Sequence, residues 1–375
     1  MTGPDLVFSV VVASHGRAGL LARLLASLDR GRTAASTSVE VIVVDSTPAE
    51  EGTAIKAACT SVGAKLIEGP LSVRCKRNLG ARSAQGRWLL FVDSDCEVSP
   101  DIFVAYSQAV SADPEMRAAA GPTVFRGEDT AFTRLIAGSS LLSPFRQPAT
   151  VSGSLLWATT SNLLVHTDAF AAVGGFREDF PFRLGGDDTD FCLRLRAHGH
   201  RIAAIPSAVC FHTWATWGRP LAVIRRSFRW GWMHAILLKA HPKFRRLDAP
   251  GLPAHALGTL ALSALAVLIF KRPRLFVATP CFFLLAILLH ATQVAFGAPN
   301  LVRAAVADLA LALVELPFGF GRALGSISRG SLVGVFCRLD GDDAAMDDML
   351  PEMVRSLWSD HLAFMLTLLL VIRLL

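Results

Sequence analysis

Two aspartates, Asp93 and Asp95, stand one residue apart directly after the short apolar run 88–92. The run has the length and composition of a buried strand, so both carboxylates are expected at its carboxyl end. Open α/β sheets bind ligands at that edge. Carboxylate oxygens there suit Mg²⁺ or Mn²⁺, which complete their coordination with water and substrate phosphates. By itself, a pair of aspartates with this spacing is also typical of an ordinary turn.

A second acidic pair, Asp187 and Asp188, follows two glycines and opens a segment that is predicted to be helical as far as residue 198. The helix dipole favours carboxylates at a helix N-terminus, so capping would explain one of the two aspartates. It does not explain both of them together with the two preceding glycines.

Three further positions each leave two interpretations open. Asp45 ends a predicted strand, and it either caps the next helix or accepts a hydrogen bond from a bound nucleotide. Arg77, followed by Asn78, lies either on a solvated helix face or against a phosphate. His212 follows the last predicted strand and is either a packed histidine or a metal ligand beside Asp95.

The elements that must position these side chains alternate between strand and helix. Short β-branched or apolar runs at 8–13, 39–44, 64–67, 88–92, 118–124, 155–165 and 201–205 predict strands. Helical segments of about 10–15 residues separate several of them, which indicates an α/β fold with a Rossmann-like, mostly parallel sheet. Residues 125–154 lack clear periodicity and are predicted to be a loop that approaches the acceptor.

The composition indicates a membrane partner for part of the chain. The mean hydropathy of +0.44 is high for a soluble protein, and most long apolar stretches lie after His255. The net charge of +6 fits either nucleic acid or an anionic membrane surface, and the apolar C-terminal part favours the membrane over nucleic acid. The seven scattered cysteines indicate reduced thiols in a cytosolic domain, and the N-terminus lacks the features of a secretory signal.

Three regions are therefore predicted: a nucleotide-sugar-binding catalytic domain at 1–238, a basic linker at 239–253 and a membrane-associated helical region at 254–375. In the last region, segments 254–270 and 275–296 are candidate membrane helices. Residues 301–336 are predicted to form an amphipathic interfacial helix, 340–348 an acidic loop and 362–375 a last apolar segment.

Six motifs in a fixed order carry a resemblance to a known family. They are Val44-Asp45, Arg77-Asn78-Leu79-Gly80-Ala81, Phe91-Val92-Asp93-Ser94-Asp95, Val173-Gly174-Gly175-Phe176, Gly186-Asp187-Asp188-Thr189-Asp190 and His212. In this order they resemble the family 2 glycosyltransferases of GT-A fold, over roughly residues 6–235.

The resemblance implies a role for each matched position. Asp45 is expected to contact the nucleobase, and Asp93 to lie by the ribose or diphosphate. Asp95 and His212 are expected to hold a divalent metal, Mn²⁺ or Mg²⁺. Asp188 is implied as the catalytic base, with inversion at the anomeric carbon. Asp187 departs from the glutamate that the family often has there, and it is assigned to substrate binding, as is Arg77.

Residues 226–230 form a separate motif, with Arg226, Arg229 and Trp230 in the spacing R-x-x-R-W. It resembles the Q-x-x-R-W signature of processive polysaccharide synthases, with arginine in place of glutamine. Two other interpretations stay open: a basic interfacial helix that contacts anionic lipids, or arginines that grip the diphosphate. On the last interpretation all three residues bind substrate.

The expected protein is a membrane-associated, metal-dependent, inverting glycosyltransferase. It would move a sugar from a nucleotide-diphosphate sugar, uridine-linked, to a lipid-linked or cell-envelope acceptor. The expected location is the cell membrane, with the catalytic domain facing the cytoplasm. Two alternatives are a processive polysaccharide synthase and a catalytically silent nucleotide-sugar-binding subunit.

Overall fold

The computed structural model describes residues 6–340, apart from 36, 51, 180–184, 248–251, 272 and 296–300, together with 362, 363, 365–367, 369 and 373. The chain divides into two compact units, Met1–Thr133 with Leu142–Gly218 and Arg134–Leu141 with Arg219–Leu375. Residues 341–348 of the predicted acidic loop lie outside the described part, as do most of 362–375 and part of the predicted linker. The predicted catalytic domain ends at residue 238. This boundary depends on which residues serve catalysis, so it stays a prediction.

The strands of the first unit, within the described residues, are β1 (Leu6–Ser14), β2 (Ser38–Asp45), β3 (Lys65–Glu68), β4 (Trp88–Asp93), β5 (Cys96–Val98), β6 (Ala118–Ala120), β7 (Thr123–Arg126), β8 (Ser154–Leu155), β9 (Leu163–His166), β10 (Ile202–Ala204) and β11 (Cys210–Thr213). Its helices are α1 (Ala18–Ala34), α2 (Thr53–Ser61), α3 (Val73–Arg82), α4 (Ile102–Ala112), α6 (Ser143–Thr150), α7 (Thr167–Ala172) and α8 (Asp187–Ala197), and α5 (Ala131–Ala137) continues from the first unit into the second.

The main sheet has eight strands in the order β3-β2-β1-β4-β9-β6-β10-β8. Neighbours β3, β2, β1 and β4 are parallel, as are β6 and β10, whereas β9 and β8 run antiparallel to their neighbours. The predicted mostly parallel α/β sheet is confirmed. A second sheet has three strands in the order β5-β11-β7. Its strand β5 follows the carboxyl end of β4 directly along the chain.

Apolar side chains on both faces of the central strands stabilise the main sheet. Val10, Val12 and Leu90 belong to one buried cluster, and Val11 and Phe91 belong to another. Because successive side chains of a strand point to opposite faces, this alternation places a core on each side of the sheet. The apolar strands β2 and β4 end at the first acidic residue that follows the buried run, Asp45 and Asp93. Both acids therefore lie at the carboxyl edge of the sheet.

Three local predictions are corrected by the structure. The predicted strand 118–124 is two strands in different sheets, because Pro122 cannot donate to a ladder and Gly121 lies against a backbone carbonyl. The predicted strand 155–165 is interrupted by a hydroxyl-rich turn, in which Ser161 bonds Thr123 across the fold. The predicted loop 125–154 contains α5 and α6, and the two prolines of α6 hide its helical pattern from the sequence.

The second unit contains α9 (Pro220–Ala240), α10 (Leu252–Phe270), α11 (Ala278–Ala295), α12 (Leu301–Ile327) and the antiparallel strand pair β12 (Arg245–Leu247) and β13 (Cys337–Leu339). Helices α9 and α12 approach each other at glycines. A Cβ on Gly231 would lie 1.8 Å from the Phe318 carbonyl oxygen, and one on Gly321 would lie 2.0 Å from the Phe228 carbonyl oxygen. The two backbones therefore touch where only glycine fits.

Within the described residues, one helix is long and apolar enough to cross a membrane, Pro253–Phe270, with a mean hydropathy of 1.8. Large apolar side chains of α10 are exposed, namely Leu260, Leu262, Leu265, Leu268, Ile269 and Phe270. Only the length and the composition of this helix support its assignment to a membrane. The prediction that several helices cross the membrane stays a prediction.

Candidate active site

The register of the parallel strands aligns several polar residues at one edge of the sheet. Ser14 pairs with Asp45 across β1 and β2, and Ala13 pairs with Asp93 across β1 and β4. Two strand spacings separate β2 from β4, so the Asp45 and Asp93 backbones are about 10 Å apart. This distance is short enough for one extended ligand to contact both carboxylates.

Helix α8 presents the second acidic pair. Gly185 and Gly186 have φ angles of 81° and 86°, which the chain needs in order to turn into the helix. Asp187 and Asp188 are then its first two residues. Gly186 occupies the N-cap position, so neither acid serves as the cap residue. Asp188 accepts a 2.8 Å hydrogen bond from the Thr189 backbone N–H.

Arg77 joins the two acidic clusters. One of its guanidinium nitrogens donates to Asp187 Oδ2 at 2.7 Å and another donates to Asp93 Oδ1 at 2.9 Å. Burial lowers the pKa of Arg77, but the charges of Asp187, Asp93 and Asp188 outweigh this and raise it. Arg77 is therefore a buried cation that holds residues from β4 and α8 together, rather than part of a solvated helix face.

The acids of this cluster differ in their proton affinity. Burial, together with the charge of Asp187, raises the pKa of Asp188 to about 7, although the Thr189 N–H and Arg77 oppose the shift. Burial also raises the pKa of Asp93, against the opposing Arg77. Asp188 therefore changes its protonation state near neutral pH, as a general base requires.

Asp95 and His212 form a second corner of the site. The pairing of β5 with β11 places His212 opposite Cys96, and the Thr213 N–H donates to the Asp95 carbonyl oxygen at 3.3 Å. His212 Nε2 then lies 3.3 Å from Asp95 Oδ1. The imidazole stacks on Phe125 with ring centroids 4.8 Å apart, which fixes the ring plane.

The donor atoms of this corner fit a divalent cation. His212 Nδ1 lies 3.0 Å from the Thr213 carbonyl oxygen, which can only accept, so Nδ1 carries a proton. In the neutral imidazole the Nε2 lone pair then faces a carboxylate oxygen, an arrangement that a cation between them would stabilise. The Cys96 sulfur is also within 4.8 Å. Burial raises its pKa well above the usual value, so it is a protonated core thiol.

Asp45 lies at the same edge with its own local partners. Its carboxylate accepts bonds from the Thr47 backbone N–H at 2.7 Å and the Thr47 hydroxyl at 2.9 Å. Lys76 lies buried nearby, where it bonds the Ser14 carbonyl oxygen. Burial lowers the Lys76 pKa and Asp45 opposes the shift. Asp45 thus closes a turn, and its role toward a nucleobase stays a prediction.

The motif residues 226–230 lie on α9, in the second unit. Arg229 is exposed, whereas Arg226 and Trp230 are partly buried. Their predicted contribution to substrate binding stays a prediction.

Two residues have roles that the sequence does not reveal. Asn78 fastens the segment after the two glycines, since its Nδ2 donates to the Phe176 carbonyl oxygen at 2.8 Å and its Oδ1 accepts from the Phe176 N–H at 2.8 Å. Arg17 donates to Asp95 Oδ2 at 3.1 Å. The sequence places Arg17 after the first strand, but it gives no sign of a partner 78 residues away.

The fold and the site together define a glycosyltransferase of the GT-A class. Residues 88–296, more than half of the chain, match the family described as glycosyl transferase family group 2, and the chain belongs to this family. No protein in the curated set matches it.

Two solved structures align with most of the chain. A mannosyltransferase from Pyrobaculum calidifontis, solved with GDP-Man and Mn²⁺, aligns over 96% of this chain and 86% of its own, at 17% identity and a TM-score of 0.47. S. aureus TarS aligns over 83% of this chain and 55% of its own, at 15% identity and a TM-score of 0.41. At these identities and scores, neither similarity says what this chain acts on.

Proposed function

We propose that the protein transfers a sugar from a nucleotide-diphosphate donor, uridine-linked, to an acceptor hydroxyl, with inversion at the anomeric carbon. One observation carries the proposal: Asp188, a carboxyl group with a pKa of about 7, follows Asp187 on α8, and Arg77 ties Asp187 to Asp93 at the strand end that leads to Asp95 and His212. A proton acceptor at the start of α8 and a cation corner after β4 are the two parts that this transfer needs.

The donor is assigned to the edge of the sheet. An ionised carboxylate has about four acceptor sites, so Asp45 can still accept from a base N–H while it holds Thr47. Asp93 and the buried Arg77 lie toward the ribose and diphosphate. Asp187 keeps Arg77 in place, and in this way it serves substrate binding.

Asp95 and His212 would hold Mn²⁺ or Mg²⁺. When bound, the metal neutralises the charge that grows on the leaving diphosphate. The stacking of His212 on Phe125 and the bond from its Nδ1 to the Thr213 carbonyl oxygen keep the Nε2 lone pair directed at Asp95. A fixed ring loses little entropy when it binds a cation, which favours a site made of few protein ligands.

Asp188 removes the proton of the acceptor hydroxyl as that oxygen attacks the anomeric carbon. Ionised Asp188 is favoured above pH 7 and is a stronger base than an ordinary aspartate, because its proton affinity is raised. A single base and an in-line displacement give inversion. No covalent intermediate is required.

The acceptor is proposed to be lipid-linked or part of the cell envelope and to reach the enzyme at the membrane. The apolar helix 253–270 with its exposed leucines supports membrane association. Exposed basic residues precede it, namely Lys239, Lys243, Arg245 and Arg246. We place the catalytic domain on the cytoplasmic side, where nucleotide sugars are found, and assign Arg226, Arg229 and Trp230 to the diphosphate.

The experiment is a screen of nucleotide sugars by thermal shift with Mn²⁺, followed by donor hydrolysis and transfer assays on the full chain. A donor that binds the folded protein raises its melting temperature, and turnover should stop with EDTA and return with Mn²⁺. Asp168→Asn is the control for substitutions of the site acids, because this α7 side chain is 91% exposed and its ion-pair partner, 3.7 Å away, is His166. Full turnover after chelation would contradict the metal role of Asp95 and His212. Donor binding without hydrolysis or transfer would favour a silent subunit.

A further inference from the structure

Arg17 has an unusual backbone for a residue with a side chain. Its φ and ψ angles are 57° and 40°, in the left-handed region, where it caps the start of α1. In the described part of the chain, Lys271 is the other non-glycine residue with positive φ. A left-handed conformation is unfavourable for a residue other than glycine, because its Cβ comes too close to the following carbonyl oxygen. Such strain often marks a functional position, and it prompts the question of what the arginine side chain supplies.

The backbone of this loop is held firmly on both sides. The Arg17 carbonyl oxygen accepts from the Leu20 and Leu21 N–H groups at 2.9 and 3.1 Å. The Gly16 N–H donates to the Thr47 hydroxyl at 2.6 Å, and that hydroxyl bonds Asp45. The side chain of Arg17, by contrast, is 53% exposed. A fixed backbone with an exposed side chain allows the guanidinium to change partners without moving the fold.

The guanidinium occupies one of the two oxygens of the predicted metal ligand. Arg17 donates to Asp95 Oδ2 at 3.1 Å, while His212 Nε2 lies 3.3 Å from Oδ1. Asp95 is only 11% exposed, so the arginine supplies a positive charge that this carboxylate would otherwise lack on that side. A metal ion that binds Asp95 brings two positive charges to the same carboxylate and repels the guanidinium.

A new partner for the displaced guanidinium would have to be an anion. A pocket of about 190 Å³ adjoins Asp95 and His212, and its lining includes Arg23 and Arg126. Arg126 stacks on the ring of Phe211, and Arg23 is 3.9 Å from Glu97. The pocket lining thus places two arginines, together with the acids Asp95 and Glu97, beside the corner where the donor diphosphate is proposed to bind. Guanidinium groups bind phosphate oxygens through paired hydrogen bonds.

We propose that Arg17 is an exchangeable counter-ion: it neutralises Asp95 while the site holds no metal, and it pairs with the donor diphosphate once the metal has taken Asp95. The inference rests on the proposed function, since it assumes a metal at Asp95 and a diphosphate donor. It makes Arg17 a residue that couples the two binding events. Its removal should change metal binding and diphosphate binding in opposite directions.

The test uses the full chain and compares Arg17→Ala, Arg17→Gly and Arg17→Lys with wild type. Glycine adopts the left-handed backbone without strain, so the glycine variant is expected to keep the loop intact. Arg30→Ala removes an exposed arginine from the same helix and is the control for net charge. Mn²⁺ binding is followed by the electron paramagnetic resonance signal of free Mn²⁺. Binding of UDP and of GDP is followed by calorimetry with saturating Mn²⁺.

Without nucleotide, Arg17→Ala and Arg17→Gly should bind Mn²⁺ about two- to fivefold more tightly than wild type, the size expected for an exposed ion pair. With Mn²⁺ present, the same variants should bind the nucleoside diphosphate more weakly, by a similar factor or more. Arg17→Lys should lie between them and wild type, because an ammonium keeps the charge but not the paired donors.

Three results would overturn the inference. If both affinities fall together, Arg17 is a structural support for the loop. If neither affinity changes relative to Arg30→Ala, the ion pair with Asp95 has no role in binding. If wild type itself binds no Mn²⁺, the proposed metal role of Asp95 and His212 is wrong. This failure is distinct from a failure of the Arg17 inference alone, because it is seen before any variant is compared.

Discussion

The substitution Asp188→Asn tests the site most directly, because it changes activity and stability in opposite directions. The pKa of Asp188 is about 7 in the folded protein against an ordinary value of 3.8, a difference of about three units. Each unit corresponds to about 1.4 kcal/mol, so ionised Asp188 costs the folded protein up to about 4 kcal/mol.

The sign of this cost follows from proton linkage. The folded state binds the proton more tightly than the unfolded state, so the cost is absent below pH 4 and grows as the pH rises to 7. Above pH 7 it is complete. Asp188→Asn removes the ionisable group but keeps an oxygen that can accept from the Thr189 N–H. The variant should therefore be more stable than wild type at pH 8 and equally stable below pH 4.

Unfolding followed by fluorescence at pH 4 and pH 8 measures the stability difference. A cost of up to about 4 kcal/mol, at about 2–4 °C per kcal/mol for a unit of this size, gives an expected rise in melting temperature at pH 8 of up to roughly 8–16 °C. Turnover should fall by about 10²–10⁴-fold because the general base is lost. In wild type, kcat/KM should fall as the pH drops below about 7.

Asp187→Asn supplies a second measurement at the same site. It removes a negative charge that raises the Asp188 pKa, so the acid limb of the kcat/KM profile should move to lower pH. Asp168→Asn removes the acidic partner of His166 instead and should leave the kcat/KM profile unchanged. Normal turnover by Asp188→Asn would refute the assignment of the base. If Asp188→Asn and wild type were equally stable at pH 8, burial would not raise the Asp188 pKa as described.

Three other predictions concern separate parts of the molecule. His212→Ala should weaken Mn²⁺ binding by more than about tenfold in a free-Mn²⁺ titration, and unchanged affinity would exclude His212 as a ligand. Asn78→Ala should lower the free energy of unfolding by about 2–4 kcal/mol in urea, because it orphans the buried N–H and carbonyl of Phe176; a change below 1 kcal/mol would contradict that role. Gly231→Ala should destabilise the α9–α12 pair by about 1–3 kcal/mol, whereas Gly258→Ala, with open space around it, should not; equal effects would contradict the close contact.

The sequence is sufficient to predict the carboxylates at the edge of the sheet. Asp45 and Asp93 each end an apolar strand, and this change from apolar to acidic is local in the sequence. Parallel strands then bring the two ends to one edge, as the register with Ser14 and Ala13 confirms. The site is predictable to this extent because hydrophobic burial alone fixes the strands.

The contacts that connect the site depend on residues far apart in the chain. Arg77 bridges Asp93 and Asp187, which is 110 residues away, and nothing in the sequence near Arg77 distinguishes this from a solvated position. The antiparallel direction of β9 is equally hidden, because an apolar run has no preferred direction. Asn78 belongs to one of the six motifs, yet only the folded structure shows that its side chain bonds the backbone of Phe176.

The fixed tautomer of His212 has a practical consequence for anyone who purifies the protein. A carboxylate and an imidazole nitrogen make a corner that does not select Mn²⁺ by affinity, since nickel and copper bind such donors more tightly in the Irving–Williams order. If Asp95 and His212 hold the metal as proposed, protein recovered from a nickel column should carry nickel at this corner in place of Mn²⁺. Metal analysis of each preparation should precede any comparison of variants.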